Sequence, residues 1–290
     1  MPFPEIAPEL FSIELFGITF ALRWYALAYI AGLLLGWWLV RRLMQKPALW
    51  PGGAAPMNNE QVDDLLTYMI LGVIIGGRLG FTLFYQPGYY LSNPLEILKV
   101  WQGGMSFHGG FLGVIAGIML FSWTRKIPLL RTGDAVAVAA PIGIFFGRLA
   151  NFINAELWGK PTTVPWAVAF PGERAQNCGA EWIGDCTRHP SQLYEAGLEG
   201  VVLFAIMLIG LRLRWTKAPG RMIGIFFLGY GVARMFVELF RQADAQYLTV
   251  DNPLGYVVRL GEWGLSMGQM LSLPMVLIGI TFLLMARIRA

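Results

Sequence analysis

Residues 147–159, GRLANFINAELWG, gather Arg148, Asn151, Asn154 and Glu156 at the end of a strongly apolar run. At 3.6 residues per turn, Arg148, Asn151 and Ala155 share one helical stripe with Glu156 beside it, so a small side chain leaves room next to a fixed cation. That is the outline of an anion pocket. The competing reading is a structural Arg148 paired with Glu156 to lock two helices. Charges inside an apolar helix are costly and are kept mainly for function, which favours the pocket. A second stretch, GYGVARMFVELFRQADAQ, sets Tyr230, Arg234, Glu238 and Arg241 on one stripe at steps of four, four and three. Arg four residues before Glu is the weaker order for helix stabilisation, so a ligand seam is preferred there over a simple salt bridge.

Other chemistry-bearing residues sit near these in kind. Arg78 lies among Gly76, Gly77 and Gly80, where a second backbone could approach a buried guanidinium; close helix packing explains the glycines equally well. His108 stands between Gly103, Gly104, Gly109 and Gly110 at an expected helix start, open either to acid–base or substrate-binding work or to a satisfied interfacial role. RHPSQLYEAGLEG brings His189, Gln192, Tyr194, Glu195 and Glu199 to the edge of an apolar run. Glu195 and Glu199 share a helical face, as a pair for acid–base work or, preferred slightly, as partners for an Arg on a neighbouring helix. Tyr25 follows Arg23 and Trp24 in a cluster suited to headgroup depth, which anchoring alone could explain. The cysteines are Cys178 and Cys186, flanking a short acidic turn. A disulfide is their leading reading if the segment faces an oxidising compartment; with only His189 near, zinc lacks its four ligands.

Arg78, Arg148 and Arg234, with Arg241 nearby, outnumber the acid expected inside the hydrocarbon. A surplus of buried cations calls for an anion, and a guanidinium fork binds phosphate oxygens two at a time. In a bilayer the abundant anion at that depth is a lipid phosphate, so the expectation is a phospholipid headgroup site.

The elements that must position these residues are membrane helices. The chain has 290 residues, 56% hydrophobic and 14% charged, with mean hydropathy +0.55, beyond what a soluble domain carries. Seven apolar runs qualify as spans, about 18–40, 65–85, 107–124, 135–153, 192–212, 222–240 and 266–286. No run alternates like a barrel strand, so the expected class is an all-α polytopic membrane protein, one membrane domain over 1–290. Basic residues cluster in alternate loops: Arg41, Arg42 and Lys46; Arg125, Lys126 and Arg131; Arg212, Arg214, Lys217 and Arg221; Arg287 and Arg289. Those loops face the cytoplasm, giving an outside N-terminus, an inside C-terminus and a small outside head over 155–190. The net charge of +4 is accounted for by topology and needs no nucleic acid partner. The N-terminus lacks a basic n-region and carries Glu5, Glu9 and Glu14, so no cleaved signal is expected. Its prolines and aromatics fit either a short interfacial segment or a disordered tail.

The segments GRLANFINAELWG, GGMSFHGGF, RHPSQLYE, GYGVARMFVELFRQADAQ and SMGQMLSLPM resemble, in order and over nearly the whole chain, those of the bacterial prolipoprotein diacylglyceryl transferase family. The resemblance implies an inner-membrane enzyme with seven spans and a periplasmic head. Its substrates are phosphatidylglycerol and a prolipoprotein signal peptide, and the diacylglyceryl group passes to the lipobox cysteine thiol to leave a thioether and glycerol phosphate. By the same resemblance Arg148 and Arg234 hold the phosphate, Asn151, Glu156, Tyr230 and Glu238 orient the headgroup and the arginines, Tyr25 lies near the site, and His108 is the proposed base for the thiol proton. Arg78 and Arg241 join the binding set as nearby buried cations. A free thiol is only a few per cent ionised at neutral pH, so a base or an Arg field is needed. The substrate supplies the nucleophilic sulfur, no cofactor or metal is implied, and Cys178 and Cys186 stand outside the pattern.

Two other classes compete. A transporter could use buried arginines along an anion path, but the chain has no internal repeat and its polar residues gather toward one side of the apolar runs. A different headgroup transferase could use the same phosphate site on another acceptor.

Overall fold

The computed structural model describes residues 1–15, 18–179, 182–249, 251–261 and 263–288; Arg289, one of the loop cations used for topology, lies outside them. The chain divides into two compact units, Met1–Gly36 with the chain from Ala137 on, and Trp37–Val136.

The first unit opens with an antiparallel pair, β1 (Glu9–Leu15) and β2 (Ile18–Arg23), registered Ser12 against Ala21 and Ile13 against Phe20. This corrects two expectations. From Phe11 on, FSIEL alternates apolar and polar with period two, and Ile18, Thr19 and Phe20 favour strand, so the first helix starts at Trp24 and the chain is not purely α. Helix α1 (Trp24–Met44) is apolar on every side and ends with Arg41 and Arg42 in its last turn. A methyl group on Gly32 would come within 3.0 Å of Gly143 Cα, so α1 runs backbone against backbone with α5 (Leu129–Ile153) here.

In the second unit α2 (Asn59–Phe84) starts with a reciprocal capping box: Gln61 N donates to Asn58 Oδ1 at 2.8 Å and Asn58 N to Gln61 Oε1 at 2.9 Å. A short helix α3 (Pro87–Ser92) and two turns of tight helix lead to α4 (Phe107–Thr124), capped by Ser106 Oγ accepting from Gly109 N at 3.2 Å. Helices α2 and α4 meet along Gly72 and Gly76 on one side and Gly109, Gly113 and Gly117 on the other. Any side chain at Gly72, Gly76 or Gly113 would strike the facing main chain.

Beyond α5, residues 155–190 form a compact segment around Val168, Phe170 and Ala175, against which Phe3, Phe152 and Trp158 pack. It contains α6 (Glu173–Gln176) and the Cys178–Cys186 disulfide, Cα atoms 5.7 Å apart. Buried Arg188 pins it, donating to Ala175 O at 2.6 Å, Asn177 O at 2.7 Å and Gln242 Oε1 at 3.2 Å while stacking 4.2 Å over Trp158.

An apolar helical rod then runs from Ser191 to Arg212 as α7 (Ser191–Glu195), a π-helical stretch over Ala196–Val202 and α8 (Leu203–Arg212). Helix α9 (Arg221–Val237) packs on α10 (Met267–Ile288), with Gly231 against Ser272 and Val276 and Gly279 against Leu228. A second hairpin, β3 (Tyr256–Leu260) with β4 (Trp263–Ser266), joins them. Among the described residues six helices are long and apolar enough to cross a membrane. Helix α9, the carrier of Arg234, is 17 residues long and falls just short of that length.

Candidate active site

Three elements of the first unit bring the charged residues together. Helix α5 supplies Arg148 and Asn151 in its last two turns, α9 supplies Tyr230 and Arg234 with Glu238 and Arg241 just past its end, and the 191–212 rod supplies Glu195 and Glu199. Glu195 is the hub. Its carboxylate accepts ion pairs from Arg148 Nε at 3.0 Å, from Arg241 Nη1 at 3.0 Å and from Arg234 Nη1. Arg148 Nη2 also reaches Glu199 Oε2 at 3.4 Å, and Arg234 Nη2 reaches Glu238 Oε2 at 2.9 Å. Both Glu195 and Glu199 are fully buried, whereas the three arginine side chains keep 13–17% exposure, so the arginines form the more accessible side of the cluster.

The expected surplus of cations is therefore corrected. Arg148, Arg234 and Arg241 face Glu195, Glu199 and Glu238, and the acids come largely from a different helix. Unpaired arginines at this depth would carry a large desolvation cost, and the carboxylates offset it while holding the forks in one place. The preferred reading of Glu195 and Glu199 as Arg partners agrees with this arrangement.

Around the hub, Tyr230 lies within electrostatic reach of Arg148, and Tyr25, whose hydroxyl is 3.0 Å from that of Tyr29, within reach of Arg148 and Glu156. Glu238 accepts from Ser266 Oγ at 3.1 Å, and Gly268 leaves the space its carboxylate fills. Ser266 and Gln269 also cap α10 reciprocally, Gln269 N to Ser266 Oγ at 3.2 Å and Ser266 N to Gln269 Oε1 at 3.1 Å. Ser266 thus reaches across to Glu238, while Gln269 bonds within this cap and Ser272 Oγ returns to Gly268 O at 2.7 Å.

Glu156 follows α5 in a tight turn and accepts from Asn151 Nδ2 at 2.7 Å. Its partner is thus Asn151, and the alternative lock to Arg148 is not made: Arg148 turns to Glu195 and Glu199. An open cleft of about 940 Å³, walled by Phe3, Ile153, Asn154, Ala155 and Phe170, adjoins this turn.

Arg78 and His108 belong to the second unit. Arg78 is buried and its fork is filled by main-chain carbonyls, Nε to Ile97 O at 2.9 Å, Nη1 to Gly103 O at 2.6 Å and Nη2 to Glu96 O at 2.6 Å, with the Tyr90 ring 5.1 Å away. That environment suits a pin for the 96–104 loop, not a phosphate fork. His108 is the second residue of α4, exposed, with its ring edge-on to Phe107 at 5.6 Å. Among the described residues no group of three or more His, Cys, Asp or Glu side chains is placed to hold a metal ion.

Residues 13–285 match the prolipoprotein diacylglyceryl transferase family. The chain belongs to that family. It is 61% identical over 289 residues to the phosphatidylglycerol–prolipoprotein diacylglyceryl transferase of Cereibacter sphaeroides, covering 99% of this chain and 98% of the relative. The proteins of the same name from Roseobacter denitrificans and Rhizobium meliloti are 57% and 48% identical, each covering 99% of this chain and 98% and 94% of the relative. With its long apolar helices, this member of the family is a multi-pass membrane protein.

Proposed function

We propose that the chain transfers the diacylglyceryl group of phosphatidylglycerol to the lipobox cysteine of a prolipoprotein signal peptide, the first step of lipoprotein maturation. The family supplies the reaction class. The observation that carries the site is the convergence of Arg148, Arg234 and Arg241 on one buried carboxylate.

The cysteine sulfur attacks the glyceryl carbon that bears the phosphoester. A C–S bond forms as the C–O bond breaks, and the electron pair of the broken bond stays on the phosphate oxygen. A phosphodiester with one negative charge thus departs as glycerol phosphate with a second. Guanidiniums already gathered by Glu195 meet that growing charge without reorganising, in a setting drier than water, which is how fixed donors lower a barrier. Arg148 and Arg234 hold the phosphate with Arg241 beside them; Asn151, Glu156, Tyr230, Glu238 and Tyr25 orient the headgroup and the arginines. The thiol proton goes to His108, whose exposed imidazole at the start of α4 supports that role. Arg78 is left out of the binding set because its donors are already used on carbonyls.

The chain lies in the bacterial inner membrane as one membrane domain with seven spans, α9 completing the set. The N-terminus and the 155–190 head face the periplasm and the C-terminus the cytoplasm; the alternation of basic loops supports this orientation.

The test is thioether formation on a synthetic lipobox peptide by the purified protein, with phosphatidylglycerol compared to phosphatidylethanolamine. Transfer from phosphatidylglycerol alone, lost in Arg148→Ala, is the expected result. Folded protein that transfers from neither lipid returns the transporter reading to the front.

A further inference from the structure

Glu156 sits in a turn that the main chain should not favour. Ala155 and Leu157, on either side of it, both adopt left-handed backbone, φ 52° and 59°. For residues with a Cβ that conformation is strained, and it persists only where neighbours hold it. From within, Glu156 N donates to Asn151 O at 3.0 Å and Asn151 Nδ2 to the Glu156 carboxylate at 2.7 Å. From across, two fully buried side chains grip the next two carbonyls: Gln192 Nε2 donates to Glu156 O at 2.6 Å and Ser191 Oγ to Leu157 O at 3.0 Å.

The Gln192 amide has one orientation here. Turned over, it would set an oxygen against the Glu156 carbonyl. Its own Oε1 is buried with no hydrogen-bond partner among the described residues, so this side chain is held in the protein for its donor. Three residues further along the same helix stands Glu195, the arginine hub. One turn of α7 therefore grips the Glu156 turn at its beginning and the arginines at its end.

We propose that Gln192, aided by Ser191, is a positioning residue for the transfer reaction: it fixes the left-handed turn so that Glu156 and Asn151 stand in register with the arginines that take the lipid phosphate. This rests on the headgroup-orienting role given to Glu156 above.

The test is steady-state kinetics with phosphatidylglycerol and a lipobox peptide for wild type, Gln192→Met, Glu156→Gln and the double variant. Met keeps length and apolar bulk and removes the donor. The expected result is a KM for phosphatidylglycerol raised about ten-fold in Gln192→Met with kcat changed far less, the loss of one buried donor acting through headgroup fit. The double variant should be no worse than the poorer single one, because both act through one carboxylate. Losses that multiply, or a fall in kcat at unchanged KM, overturn the positioning role and leave Gln192 a packing residue. If Gln192→Met does not elute as folded protein, Ser191→Ala carries the same test with a smaller KM rise, and an unchanged KM there overturns the proposal. The parent reading fails separately: wild type inactive with phosphatidylglycerol removes the reaction, and a silent Glu156→Gln removes the role of Glu156.

Discussion

Arg148 can be read in the sequence as a functional cation, because an arginine deep in an apolar run has few structural excuses. That Glu195 and Glu199 meet an arginine of a neighbouring helix is legible too, but which arginine is not, since they lie some fifty positions beyond Arg148 and become its neighbours only when the helices pack. Replacing Arg148 by Ala should lower transfer at least about 100-fold, and Lys should rescue little, because an ammonium cannot reproduce the paired donors. The rate on purified variants checks this, and near-wild-type activity in Arg148→Lys would remove the fork from the mechanism. Glu195→Ala should do more than slow the chemistry. It leaves three arginines without their common partner, at a cost of about 3–5 kcal/mol, and should appear as a lower melting temperature in detergent as well as lost activity. Arg78 shows the opposite limit of sequence reading. Its partners are main-chain carbonyls of residues 96–104, groups that every residue type carries and no motif displays.

At the scale of elements, long helices were legible and their departures were not. The third span was expected at 107–124 and α4 is Phe107–Thr124. The expected first span starts six residues early because the mostly apolar strand Ile18–Arg23 looks like the start of a helix until a pairing strand is found for it. The turn after α5 gave no signal at all, as neither Ala155 nor Leu157 is a residue that favours positive φ. Ala155→Gly should therefore stabilise the protein by about 1 kcal/mol with transfer retained, measured as a rise in melting temperature. The segment that follows is expected to respond to acid. Trp166 Nε1 donates to Tyr194 Oη at 2.7 Å, and the same hydroxyl lies 3.0 Å from His189 Nδ1. Burial, with Lys160 nearby, keeps the His189 pKa below its ordinary 6.5. The unfolded chain then takes up the proton first: this contribution to stability is whole above pH 6.5 and is lost as pH falls through the folded pKa. Thermal melts from pH 7.5 downward should show the loss, and His189→Gln should flatten it.

For the molecule as a whole, the proposed orientation makes a direct prediction. Single cysteines at exposed Lys46 or Lys217 should react with an impermeant maleimide only from the cytoplasmic face, and one at exposed Thr163 only from the periplasmic face, with Cys178 and Cys186 already bonded. Reaction of Lys46→Cys in intact spheroplasts would invert the topology. Apolar length and loop charge made such a topology legible, since both are sums over many residues. Contacts between single glycines are not sums, and the α2–α4 seam shows what that implies for inheritance. Every first- or second-base change in a glycine codon installs a side chain or a stop, and at Gly72, Gly76 and Gly113 any Cβ meets opposing main chain. A saturating screen of missense alleles should find these codons almost bare of survivors, while the neighbouring exposed codons for Leu71 and Ile75 accept most apolar replacements. The gene is thus expected to be most fragile where its product has no side chains to lose.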